Sequence, residues 1–448
     1  MAACHSVDPD RWQRGFDELV ERIASRFSRV EPRRRVRLFV LGLLAGLPRV
    51  NCWTIAEHAG EASPDGMQHL LARSVWDAEV VRDDLREYVV DHLSDPGAVL
   101  VVDETGDVKK GTHTVGVQRQ YTGTAGRIEN AQVGVYLVYS ATRGHAFIDR
   151  ALYLPKSWTT DTARCRAAGV PGDVRFANKS ALAREMIGRA LDADVPASWV
   201  AGDEVYGADP RLRADLHQRR VGYVLAVACD HQVSTPAGKH PAKTLTGWLP
   251  ARAWNRLSAG IGAKGHRWYD WAPIDSTDST DTGADGVHAL LIRRSISTGE
   301  LAFYRCYTPT PVPLATLVAV AGRRWTIEEF FQAGKGLTGL YEHQVRRWTS
   351  WHRWTILAML AHAFLAVTAA TTGRNPNTAR THRAHRERDP APVHPTDRPQ
   401  PTQHLPPAAL VTLATPPPSQ SPRLPPPPTS TPTHLITNYG WRGRRRGV

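Results

Sequence analysis

AVLVVDET at 98–105 and SWVAGDEVYG at 198–207 each carry a short apolar run that ends on an aspartate. A continuous apolar run bounded by turn residues is the pattern of a strand buried on both faces. Asp103 and Asp203 close the two runs. The sequence therefore predicts their carboxylates at the carboxyl ends of neighbouring strands, where open α/β sheets place their sites. Two ionised carboxylates so placed repel one another unless a cation lies between them, and an all-oxygen donor set points to Mg²⁺ or Mn²⁺.

Working outward, strand patterns recur at 114–121, in AQVGVYLVYSA (131–141), in HAFIDRALYLP (145–155) and in VGYVLAVACD (221–230). Helical patterns at 180–192 and 210–219 lie between the later strands. Strands followed by strand–helix alternation predict a mixed α/β sheet with a parallel portion. Residues 231–310 are rich in Gly, Thr, Ser and Asp and include DSTDSTDTGADG (275–286), which predicts a β-rich insertion into the main domain. Helices at 314–334 and 350–371 follow.

Ahead of the sheet, residues 10–95 read as helical, with Phe16, Leu19, Ile23 and Phe27 at helical spacing and a second helix at 34–47. Two short helical patterns in 51–77, split by Gly-Glu-Ala-Ser-Pro, fit either a DNA-reading helix-turn-helix or an ordinary helical subdomain. Past Gly373 the chain turns Pro-, Thr-, His- and Arg-rich, a composition that cannot build a core and whose default is disorder. The expected organisation is an N-terminal helical DNA-binding or accessory domain (1–95) and a catalytic core in two parts (96–230 and 311–372). The β-rich insertion (231–310) separates those parts, and a disordered tail (373–448) ends the chain.

Lys and Arg number 56 against 43 Asp and Glu, a formal charge of +13 that favours a polyanionic partner. An Arg-rich genome produces the same excess, so charge alone moves the argument only modestly. The 5 cysteines are scattered with no CxxC pair, which suggests neither a zinc ribbon nor a disulfide framework and fits a reducing cytoplasm. No basic stretch followed by an apolar run opens the chain. The apolar stretches at 36–47 and 354–370 fall short of a comfortable membrane span and read as buried helices.

A third acid comes from RRWTIEEFFQAGK (323–335). Glu328 lies four residues after Arg324 and seven before Lys335, with Gln332 between, so these residues share one helical face. Glu329 is turned about 100° away on a helix of 3.6 residues per turn. Alone, such a face is better explained as an ordinary solvated, salt-bridged surface. Combined with two strand-end aspartates and a basic chain, it meets the needs of in-line phosphodiester attack assisted by two metal ions.

At these residues the sequence resembles the DDE transposases of bacterial insertion sequences, in particular the branch named, in words, IS-seven-hundred-one-like, related to the IS-four-like group. The likeness rests on VVDET around Asp103, on WVAGDEVYG around Asp203, and on Arg324, Glu328 and Lys335 as R-x3-E-x6-K, and it spans about residues 10–370. It implies an RNase H-like fold with a β-rich insertion, and cut-and-paste transposition by Asp103, Asp203 and Glu328 holding two Mg²⁺ or Mn²⁺ ions. Double-stranded DNA, both terminal inverted repeats and target, and a homodimeric synaptic complex are the implied partners. Arg324 and Lys335 would hold terminal phosphates. The related group's Tyr three residues before the Arg is here Ala321, a departure from the pattern. Related enzymes stack a flipped base on an aromatic ring, for which Trp268, Trp271 and Trp325 are candidates.

Tyr206 is expected to pack beside Asp203, and His113, His145 and His343 to be packing or surface residues. In VRRWTSWHRW (345–354), Arg346, Arg347 and Arg353 lie amid Trp348, Trp351 and Trp354, which suits DNA binding or a buried helix flank equally. Two further readings stay open: a non-catalytic, domesticated or decayed DNA-binding relative, and an RNase H-like nuclease that cuts without joining.

Overall fold

The computed structural model describes residues 8–262, 265–277 and 286–372, without the side chains of Thr326, Glu328 and Glu329. The Pro/Arg-rich tail expected to be disordered and most of the Asp/Thr-rich turn lie outside the described residues.

Five helices come first: α1 (Pro9–Ala24), α2 (Val30–Leu44), α3 (Cys52–His58), α4 (Asp65–Ala72) and α5 (Ala78–Leu93). The α1 helix starts where Asp8 caps the amide of Asp10 and Pro9 occupies the first turn, and it buries Phe16, Leu19 and Ile23. The α2 helix begins four residues before the expected position. Its Pro32 sits in the first turn, where a missing N–H costs nothing.

Next come strands β1 (Val99–Val108), β2 (Gln118–Thr122), β3 (Arg127–Ser140) and β4 (His145–Tyr153), then helices α6 (Lys156–Thr159), α7 (Thr162–Ala167) and α8 (Lys179–Asp192). Strand β5 (Trp199–Gly202), helices α9 (Glu204–Gly207) and α10 (Pro210–Gln218), and strand β6 (Gly222–Val227) follow. A ribbon of β7 (Gln232–Thr235) and β8 (Gly238–Pro241) and a short helix α11 (Ala242–Thr246) precede strands β9 (Asn255–Gly262), β10 (Gly265–Asp275), β11 (Val287–Ser295) and β12 (Leu301–Thr308). Two long helices, α12 (Leu314–Thr338) and α13 (Trp348–Thr371), end the described chain.

A mixed sheet runs β2-β3-β1-β5-β6-β12-β11-β10-β9, with β4 also paired to β3. Among the described residues only the β1–β5 and β5–β6 pairs are parallel. Strands β9 to β12, from the 231–310 stretch, extend this same sheet, because β12 pairs antiparallel with β6, while β7 and β8 pair with each other apart from it.

Position 103 differs from expectation in one respect. Rather than closing β1, Asp103 lies in its middle, at the point where parallel pairing with β5 has just ended at Val101–Ala201. The longer β3 continues to satisfy the other edge of β1 through Val108–Ala131, so the strand runs on past the acid.

Helix α13 is buried nearly throughout, from Trp351 to Ala369. By length and composition alone it could cross a membrane, but 83% of its apolar window is enclosed by protein, as befits a core helix that is apolar all round. Helices α1, α2, α4 and α5 and strand β4 pack around it. One apolar core thus runs from Phe16 through the sheet to Val367. Helix α12 lies across β9, and Gly322 makes this possible: a Cβ there would stand 1.9 Å from the Ala259 carbonyl oxygen.

Candidate active site

The end of β5 brings the acids together. Gly202 closes the strand and Asp203 caps α9, its Oδ1 accepting from the Val205 amide at 2.8 Å. Across the gap, Asp103 Oδ1 accepts from the Glu104 amide at 2.8 Å. Asp103, Glu104 and Asp203 each offer a carboxylate oxygen, and these oxygens lie within 4.8 Å of one another. Glu104 is gripped from two sides, by Lys179 Nζ at 2.6 Å and by the Tyr206 hydroxyl at 2.5 Å.

Burial first, and the Asp203 charge second, push the Asp103 carboxyl up to about 7. Asp203 is raised as well, by burial and then by the charge of Glu104. The Arg324 guanidinium opposes the shift at both aspartates, so α12 delivers a cation to this pocket. An all-oxygen set of three crowded carboxylates fits a hard divalent ion such as Mg²⁺ or Mn²⁺, which would relieve their mutual repulsion. Asp103 and Asp203, with Glu104 beside them, are the groups placed to hold it.

Farther along the same face of β1, two residues from Asp103, Thr105 Oγ1 accepts from Lys335 Nζ at 2.6 Å, and Thr124 Oγ1 accepts from it at 3.4 Å. Burial holds the Lys335 ammonium below its ordinary range. Arg324 and Lys335 therefore both reach the face of the sheet that carries Asp103. Glu328 lies between them on α12, and its side chain is outside those described.

The other candidates separate clearly. Tyr206 is buried beside Asp203, as expected. His343 is buried, 3.4 Å from Asp107, and its carbonyl accepts from Lys109 Nζ, so it ties a loop to β1. His145 is buried against Ser140. Trp271 is buried, with Nε1 donating to the Leu257 carbonyl, and Trp325 stacks on Tyr269. Among the three proposed base platforms Trp268, 52% exposed, is the most open to solvent, while Trp325 is half-buried. In the Arg/Trp cluster, Arg353 is buried and donates to the carbonyls of Leu70, Leu71 and Trp76, while Trp351 and Trp354 are core residues. Arg346 and Arg347 remain at the surface, and His113 is exposed beside them.

Sequence reasoning missed Glu104, the bonds that Lys179 and Tyr206 make to it, and the two threonines that receive Lys335. The adjacency of Glu104 to Asp103 was visible, but strict strand alternation assigns neighbours to opposite faces. Because β5 turns away into α9 at this point, both residues border the same opening.

An α/β sheet with an acidic cluster suited to a cation, and with two basic side chains set against it, defines the class. The chain belongs to the DDE superfamily endonuclease family, whose model matches residues 22–254, just over half of its length. The matched stretch contains Asp103, Glu104 and Asp203 and stops short of α12. Among curated relatives, the chain is 28% identical over 226 residues to the "Probable transposase for insertion sequence element IS701" of Microchaete diplosiphon, covering 50% of this chain and 56% of that one. The chain thus spans just over half the length of that relative. The likeness to DDE transposases read from the motifs stands. Among solved structures, a piggyBac transposase synaptic complex with hairpin DNA is similar over 83% of this chain and 77% of that one, with a TM-score of 0.41 and 12% identity.

Proposed function

We propose that the chain is a transposase that cuts DNA at transposon ends and joins the freed ends to a target, using Asp103 and Asp203 with Glu328 to hold two divalent ions. The observation that carries this reading is the meeting of Asp103 and Asp203 in one pocket with Arg324 and Lys335 beside it. The order β4-β3-β1-β5-β6, with three antiparallel strands followed by two parallel ones, supports an RNase H-like core. When bound, the ions supply activation of a water or 3′-hydroxyl and stabilisation of the leaving oxygen.

The protein's own groups do the rest. Arg324 and Lys335 hold the phosphates flanking the scissile bond, and the Glu104 clamp fixes Asp103 relative to α9 and Asp203. Partners in this reading are duplex DNA, as terminal repeats and as target, and a second copy of the chain in a cytoplasmic synaptic complex.

The test is a nicking assay on a plasmid carrying the element's flanking sequence, with Mg²⁺ or Mn²⁺. The wild-type chain should nick it, and Asp103→Asn, Asp203→Asn and Glu328→Gln should each fall to background while DNA binding persists in a gel shift. Nicking retained by any of the three removes that residue from the site. Binding without nicking by the wild-type chain favours the non-catalytic relative, and cleavage without joined products favours a plain nuclease.

A further inference from the structure

The surface beyond the far end of β1 concentrates positive charge that the acidic pocket does not use. Arg346 and Arg347 are exposed and, with Arg164, His113 and Trp158, line a cavity of about 200 Å³. The Arg164 guanidinium lies 3.8 Å from the centre of the Trp158 ring and donates to the carbonyls of Thr112 and Val117. Among the described residues none of the three arginines has a carboxylate within ion-pairing distance. The nearest acid in sequence, Asp161, is engaged with the Arg164 amide. The backbone is fixed here too, by Val115 N donating to the Arg346 carbonyl and Trp348 N donating to the Ala168 carbonyl. Three unneutralised guanidinium groups around one rigid hollow repel one another, and an anion at the surface offsets that repulsion.

This hollow is joined to the acidic pocket along one strand. From Asp103, β1 continues to Val108, and Lys109 still pairs with Asn130. Lys109 Nζ then donates to the carbonyl of His343, three residues before Arg346. Six strand residues at 3.3–3.4 Å each span about 20 Å. We infer that Arg164, Arg346 and Arg347 form a second contact for duplex DNA, gripping its phosphate backbone on the surface past the Lys109 end of β1, apart from the phosphodiester that reaches Asp103. The inference rests on the proposed function for the location of that phosphodiester, but its measurement needs binding alone.

The test is fluorescence anisotropy with a labelled duplex of about 30 base pairs, three helical turns, titrated without divalent metal across about 50–200 mM KCl. Each lost phosphate contact lowers the slope of log affinity against log salt by about 0.9. Arg346→Ala/Arg347→Ala should therefore flatten the slope by about 1.8. Arg346→Lys/Arg347→Lys, which keeps the charge, should restore most of it. If the double alanine variant melts early, Arg346→Gln carries the test with an expected change of about 0.9, since among the described residues the Arg346 side chain has no hydrogen bond to lose. A wild-type slope in the alanine or glutamine variant overturns the second contact and leaves the proposed function standing. Failure of the wild-type chain to bind any duplex overturns both.

Discussion

Lys179 and Tyr206 meet at Glu104 from different elements, one from the first turn of α8 and one from α9, directly behind Asp203. Their bonds to a single carboxylate fix α9, and with it Asp203, against β1. Groups that orient metal ligands typically contribute 10–100-fold to metal affinity. Lys179→Ala or Tyr206→Phe should accordingly raise the Mn²⁺ concentration that half-saturates nicking by about 10–100-fold, with much of the rate recovered at saturating metal. A loss of rate with an unmoved metal curve would show that the clamp serves folding alone. At this scale Asp103 and Asp203 were legible because each terminates an apolar run. The clamp was not, because it depends on where β5 leaves the sheet, and no local spacing records that.

Helix α12 shows what periodicity can and cannot read. The helix expected over 314–334 continues to Thr338 and ends at Gly339, whose φ of 59° is the left-handed cap that favours glycine. Gly334 serves packing, since a Cβ there would lie 3.0 Å from the Phe147 ring. The extra turn carries Lys335 to Thr105. Helix α13 was legible as buried, but its polar core residue His362 marks a liability. Burial, reinforced by His145, lowers His362 to about 3. In the unfolded chain a histidine titrates near about 6.5. Below that value the unfolded state takes up a proton that the folded state refuses, so acid removes stability, and the loss grows as pH falls toward the folded value. His362→Leu keeps the apolar contacts with Phe147 and Phe330 and removes this proton linkage. Between roughly pH 7 and pH 5, urea unfolding of the wild-type chain should lose about 2 kcal/mol more than the variant. Equal losses would mean that His362 is protonated inside the fold.

Across the whole molecule, one sheet gathers strands from 99 to 308 and one core helix gathers the N-terminal helices. The mixed α/β class was readable from the alternation of strand and helix patterns. The joining of β12 to β6 was not, because residues about 80 positions apart pair there through shared apolar surface rather than through any turn signal. That continuity matters to chemistry: β9 at the far end supports α12, and α12 brings Arg324 and Lys335 back to the β1–β5 gap. The central claim is that Asp103 and Asp203 share a divalent ion there. Anomalous diffraction from crystals of the chain grown with Mn²⁺ tests it most directly. The account predicts a manganese peak in contact with both carboxylates that disappears in Asp103→Asn. Manganese touching neither aspartate, or a peak unchanged by the substitution, would contradict it.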